Sequence, residues 1–260
     1  MTAEEKTALA RFLDLTDDFL KDGYARDRED YAFENDRPDQ PVEEKNSLPL
    51  AYTVDESGED DDVNRSDCGD DTLEAVAGDI AACKACGLAR GRTLAVPGEG
   101  VPHPLVMVIG EAPGADEDRA GRPFVGKAGQ LLDRMLASIG LFRDQNCYIA
   151  NMVKCRPPEN RDPAPDEIAA CYPYLSKQIE LLNPRLILCV GRVAAQSLLK
   201  TSKGINALRG EFAELKNGEA VIPVLSTFHP SAVLRDDSLR RPAWEDLKLL
   251  RSRLESINKE

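Results

Sequence analysis

The chain predicts an α/β fold, in which three layers (α/β/α) surround a central parallel sheet, preceded by an acidic N-terminal extension. Three observations predict it. From about residue 73 onward, short apolar runs alternate with amphipathic stretches, the pattern of strands joined by crossover helices. The runs carry almost no polar residue, as strands covered on both faces do. Charge is also divided. Residues 1–72 hold 23 acidic and 8 basic side chains, a net of −15, whereas residues 73–260 hold 23 and 25, a net of +2. The overall −13 therefore belongs to the first segment. The remainder is mildly basic, which permits a polyanionic partner without the strong excess of a nucleic-acid coat.

Within the extension, Leu9, Phe12, Leu13, Phe19 and Leu20 recur at helical spacing, so residues 3–22 predict one amphipathic helix. Residues 23–72 are polar, acidic and proline-bearing, with the run Glu59-Asp60-Asp61-Asp62, and read as a disordered linker. A solubilising tail and an arm for a protein partner are the two readings of this segment. The remaining elements follow in order: a helix over 72–82, a strand over 105–109, a helix over 127–139, a strand over 148–153 and a helix over 166–182. A strand over 186–190, a helix over 193–199, a strand over 221–226 and a helix from 241 to about 257 complete the domain, 73–260. No apolar run reaches the roughly 18 residues of a membrane span. Seven cysteines, an odd number, and no apolar leader argue against a secreted disulfide scaffold and point to the cytoplasm.

Four of those cysteines form two groups. Cys83 and Cys86 make a C-x2-C knuckle; after 68 intervening residues Cys155 and Cys171 make C-x15-C. Two such groups suit a soft metal centre, either tetrahedral zinc or an iron–sulfur cluster. Cys147 and Cys189 read as small buried apolar residues, and Cys68 falls in the linker.

In a parallel sheet ligands bind beyond the carboxyl ends of the strands, and three chemically rich segments fall there. The first runs from Gly110-Glu-Ala-Pro-Gly to Gly121-Arg-Pro-Phe-Val-Gly-Lys-Ala-Gly129. It matches neither the dinucleotide-binding nor the P-loop glycine pattern. Taken alone, Phe124 suits the core better than a stacking platform, and Asp116, Glu117 and Asp118 suit a solvated turn. The second is Asn151-Met-Val-Lys-Cys-Arg-Pro-Pro158. The third is Ser226-Thr-Phe-His-Pro-Ser-Ala-Val-Leu-Arg235, where His229 ends a strand and Pro230 stiffens it. Arg235, Arg240 and Arg241 suit either phosphate contacts or an ordinary surface. The chain's other histidine, His103, lies between prolines and reads as incidental.

Together these three segments and the four cysteines, in order and in spacing, resemble the family 4 uracil-DNA glycosylases, the iron–sulfur enzymes of bacteria and archaea. The resemblance covers about residues 75–257 and leaves residues 1–72 without a counterpart. It implies a uracil-DNA glycosylase-like fold and hydrolysis of the N-glycosidic bond of uracil in DNA, leaving an abasic site. It implies a [4Fe–4S] cluster on Cys83, Cys86, Cys155 and Cys171, with zinc the less favoured occupant. Phe124 would stack on the extruded uracil and Asn151 would read its Watson–Crick edge. His229 would donate to uracil O2, while Glu111 and the backbone of Ala112 would line the pocket and place the water. Glu117 is the second carboxylate considered for the water. Val233 and Leu234 would fill the vacated stack, and Arg235 would contact the DNA. In another uracil glycosylase family an aspartate stands at the position of Ala112. Its absence here implies that rate comes mainly from stabilising the leaving base and the oxocarbenium-like sugar. Two other classes compete: a uracil-DNA binding protein that traps the base, and a metal-braced scaffold that docks repair proteins. Trapping relatives carry a basic, histidine-containing insertion, and residues 155–165 hold no histidine.

Overall fold

The computed structural model describes residues 72–218 and 220–257. The helix expected over 3–22 and nearly all of the expected linker lie outside them. Helix α1 (Leu73–Ala82) starts where the Thr72 hydroxyl accepts the Ala75 N–H at 3.2 Å. Beyond a short turn come β1 (Glu99–Gly100), β2 (Val106–Gly110), α2 (Ala115–Ala120), α3 (Lys127–Ala137) and β3 (Cys147–Asn151). Then follow α4 (Pro165–Leu182), β4 (Leu186–Val190), α5 (Arg192–Leu199), α6 (Ile205–Leu208) and β5 (Phe212–Asn217). The chain closes with β6 (Ala220–Thr227), α7 (Pro230–Arg235) and α8 (Arg240–Ile257).

One sheet carries all six described strands in the order β1-β3-β2-β4-β6-β5. The central four run parallel, as expected. The edges do not: β1 pairs antiparallel with β3, and β5 with β6, so the sheet is mixed. Along β2 and β4 every side chain is buried, and successive residues enter opposite cores. Val106, Val108, Leu186 and Leu188 meet Leu132 and Met135 of α3 and Trp244 and Leu247 of α8. Met107, Ile109, Ile187 and Cys189 meet Leu175 and Ile179 of α4 and Ala194 and Leu198 of α5. This two-sided burial explains why those strands read as continuous apolar runs. No helix among the described residues is long and apolar enough to cross a membrane.

The chain leaves β2 for β3 on one side and returns to β4 on the other. The resulting crevice at the carboxyl ends of these strands is where such sheets hold ligands. A buried polar cluster anchors the end of β6. Asp246 of α8, 1% exposed, accepts from the Thr227 hydroxyl at 2.6 Å and from Arg209 Nε and Nη2 at 3.0 and 2.8 Å. Burial raises the Asp246 carboxyl, and the bonds from Thr227 and Arg209 oppose that rise. Removing one member of a buried pair strands the other. Asp246→Ala is therefore expected to lower unfolding stability by about 3 kcal/mol, measured from urea midpoints.

Candidate active site and thiol centre

The site begins with a residue that lacks a side chain. Gly110, the last residue of β2, lies opposite Asn151 on β3. A Cβ on Gly110 would sit 2.4 Å from Asn151 Oδ1 and 2.5 Å from Phe124 Cζ, so any other residue would push the two apart. Phe124 itself sits at φ 52°, a left-handed conformation costly for an aromatic residue. Its surroundings compel that conformation. Arg143 donates to Pro123 O at 3.1 Å and to Phe124 O at 3.0 Å. Gly129 leaves room on the other side, where a Cβ would meet Phe124 O at 1.9 Å. Glu117 ties the flanking segment to α2. One carboxylate oxygen accepts the N–H groups of Val125 and Gly126, both at 2.9 Å, and the other accepts that of Gly114 at 3.1 Å.

His229 faces this pair from the end of β6. It caps α7: Nδ1 accepts the Ser231 N–H at 3.1 Å and lies 2.7 Å from Ser231 Oγ. A ring nitrogen that accepts an N–H carries no proton, so the neutral ring bears its hydrogen on Nε2. Burial, with Arg235 adding to it, pushes the imidazole down to about 4. Its centroid lies 5.8 Å from that of Phe124 with the rings tilted by 32°. Gly191, at φ 98°, permits this approach, since a Cβ there would lie 3.1 Å from His229 Cβ.

These groups enclose a cavity of about 350 Å³ lined by Glu111, Ala112, Phe124, Asn151, His229 and Leu234 among others. Asn151 is 1% exposed, and its Oδ1 is the sole buried side-chain N or O among the described residues without a hydrogen-bond partner. Such an orphan costs about 1–3 kcal/mol, and a binding site is where that cost is retained. Lys127, Arg161, Arg192 and Arg235 also line the cavity, giving it a cationic side. Arg161 pairs with Glu167 at 2.7 Å and Arg192 with Asp162 at 2.5 Å.

The structure thus brings Glu111, Ala112, Phe124, Asn151, His229, Leu234 and Arg235 around one cavity. Two of the expected residues are held by the fold itself. Val233 is 1% exposed and packed in the core, whereas Leu234 lines the cavity. Glu117 also lines the cavity, and its carboxylate accepts three backbone N–H bonds, so it braces the Phe124 segment. Sequence reasoning missed Ser231 and Arg143. Ser231 had a signal in its place two residues after His229; Arg143, 19 residues from Phe124, had none.

Three of the four cysteines pack together beside Ala112, and Cys83 lies near them. Cys155 and Cys171 are buried with Leu88 and Val153, and Cys86 and Ala112 pack against them. Cys83 caps the end of α1 and bonds to the Tyr174 side chain. Burial is the main cause that raises the Cys155 and Cys171 thiols, Cys171 to about 11. The neighbouring Cys83 adds to both, which places these sulfurs within electrostatic range. Three donors face them: Arg92 Nη1 to Cys155 Sγ at 3.0 Å, the Lys154 N–H to Cys171 Sγ at 3.3 Å and the Ala85 N–H to Cys83 Sγ at 3.4 Å. Among the described residues no three His, Cys, Asp or Glu side chains are gathered closely enough for one metal ion. An all-sulfur donor set with N–H groups aimed at the sulfurs fits a soft metal centre.

A mixed α/β sheet with a cavity at its switch point, lined by a buried histidine and an asparagine oxygen without a partner, defines an α/β protein with a site for a polar ligand. The comparisons agree with that class. Residues 97–248 match the model of the uracil DNA glycosylase superfamily. The chain is 46% identical to the type-4 uracil-DNA glycosylase of Sulfurisphaera tokodaii, over 70% of this chain and 84% of that protein. It is 41% identical to that of Archaeoglobus fulgidus, over 68% and 91%, and 42% identical to that of Thermotoga maritima, over 70% and 95%. The chain belongs to the uracil DNA glycosylase superfamily, within its type-4 family.

The depressed His229 makes a pH prediction. An ordinary histidine titrates near about 6.5, so between there and about 4 the unfolded chain binds the proton that the folded chain refuses. This contribution to stability is complete above 6.5 and is lost as the pH falls toward 4. Between pH 7 and 4.5 the wild type should lose about 2 kcal/mol more stability than His229→Ala, read from urea unfolding at each pH.

Proposed function

We propose that this chain is a monofunctional uracil-DNA glycosylase that hydrolyses the N-glycosidic bond of uracil in DNA and leaves an abasic site. The observation that carries the reading is the buried, unpaired Oδ1 of Asn151 in a cavity closed by Phe124 and the neutral His229. The nucleotide is extruded from the helix, as chemistry on a paired base requires. Phe124 stacks on the base. Asn151 Oδ1 accepts uracil N3–H while Nδ2 donates to O4. Cytosine would set its unprotonated N3 against Oδ1 and its amino group against Nδ2, acceptor to acceptor and donor to donor.

As the C1′–N1 bond breaks, its electron pair moves onto the uracil ring, and the charge at O2 meets Nε2–H of His229. A neutral donor suffices, and the dry pocket strengthens its bond to the forming anion. Glu111 and the Ala112 backbone hold the water that adds to C1′, and its proton leaves to solvent. Leu234 occupies the space the base vacates, and Arg235 meets a phosphate beside it. Cys83, Cys86, Cys155 and Cys171 would hold a [4Fe–4S] cluster. Its contribution is to tie the turn after α1 to α4 and to the loop after β3. We place the catalytic domain at 73–260 and the protein in the cytoplasm with its DNA. The acidic segment 1–72 is an appendage that offers a protein partner a docking arm.

Single-turnover release of uracil from a labelled uracil-containing oligonucleotide, with EDTA present, tests the reading. Alkali-labile abasic sites are expected from the wild type. His229→Ala should slow the step on the order of 100- to 1000-fold, and Asn151→Asp should erode the preference for uracil over cytosine. Wild-type rates in both variants would overturn the assignment.

A further inference from the structure

Between the thiol centre and the cavity lies a charge that neither explains. Lys154 is 1% exposed, among the most fully buried large side chains of the protein. Its Nζ donates to the backbone oxygen of Asn151 at 2.9 Å and to Gln178 Oε1 at 2.7 Å. Both acceptors are neutral. Gln178 is itself anchored, donating to Pro97 O at 2.8 Å. A buried ammonium without a counter-charge costs several kcal/mol. Among the described residues no carboxylate pairs with it, and the Lys154 backbone N–H donates to Cys171 Sγ. The residue therefore reaches two sites, with its backbone N–H at a sulfur of the cysteine centre and its ammonium at the backbone oxygen of Asn151.

We propose that Lys154 is a positioning residue whose buried cation balances the negative charge of the thiolate-bound cluster and fixes the Asn151 strand end for base recognition. The idea rests on the reading of the cavity and the cysteines given above and adds to it a coupling between them. Loading the thiolates with an anionic group supplies the counter-charge that lets Lys154 stay buried and bonded to Asn151. Loss of that group leaves an unbalanced cation, which would draw the lysine toward water and release the strand end.

The test uses the full-length iron-loaded protein and three variants: Lys154→Met, Lys154→Arg and Gln178→Leu. Lys154→Met keeps an unbranched chain of similar reach and removes the charge. It is expected to shift the cluster reduction potential to more negative values, shorten the lifetime of the cluster absorbance in chelator, and weaken inhibition by free uracil about tenfold. Gln178→Leu keeps the charge and removes an acceptor; it should weaken uracil inhibition with a potential near that of wild type. Lys154→Arg should restore the potential. Lys154→Met with wild-type potential, cluster lifetime and uracil inhibition overturns the coupling. Wild-type protein without iron, or Asn151→Asp that still rejects cytosine, overturns the reading on which the coupling depends.

Discussion

The active-site geometry depends on the contact at Gly110, where two side chains occupy the volume a Cβ would take. Parallel pairing of β2 with β3 sets Asn151 beside Gly110 by register alone. The loop after β2 must then bring Phe124 back over the same atom, and it does so with a left-handed residue at 124. Strain of this kind persists only where the surroundings over-determine it. Here they include the Arg143 fork, the Glu117 carboxylate and the missing side chain of Gly129. Each restraint comes from a different element, so the base platform is rigid although it sits on a loop.

Rigidity of this kind lets the cavity tolerate an unpaired amide oxygen. In a deformable site Asn151 would turn to find a partner. Here the Phe124 ring and the chain of β2 lie against it, and its own backbone oxygen is held by Lys154. The orphaned acceptor is then an arrangement made in advance for a donor on a ligand. Its cost is met in folding, and binding recovers it.

The four central strands and the order of the layers were legible in the sequence because β2 and β4 are buried on both faces and read as unbroken apolar runs. The edge strands were not. β5 alternates half-buried and exposed residues and ends in Lys216 and Asn217, and β1 has only two residues. Helices α2 and α7 were also hidden, one in an acidic run and the other behind Pro230, because each is too short to show a period. In the site, resemblance named residues that the fold brings around one cavity, and what supports them escaped it. Glu117, placed among three charged residues, reads equally as a turn or as a base, and only backbone geometry distinguishes a brace from either. Lys154, at the end of an apolar strand, carries no local mark of burial. Contacts that join residues distant in sequence leave no periodicity to read.

The distribution of charge around the cavity bears on how the bond is broken. Both oxygens of Glu117 are engaged by backbone N–H groups, and Glu111 is the carboxylate that the proposal gives to the water. A strong general base would in any case add little where the sugar is already cation-like when water arrives. The larger demand is the charge appearing on the base. An imidazolium would meet that charge with a full positive unit, yet it would also require a proton that burial and Arg235 drive away. Ser231 resolves the choice. By donating to Nδ1 it leaves the ring's single proton on Nε2, so the donor faces the cavity without any ionisation. Nothing in the protein need change protonation state before the bond breaks, and the donor is in place before charge appears. Such preorganised electrostatic stabilisation is effective in a dry pocket because no dipole has to turn during the step.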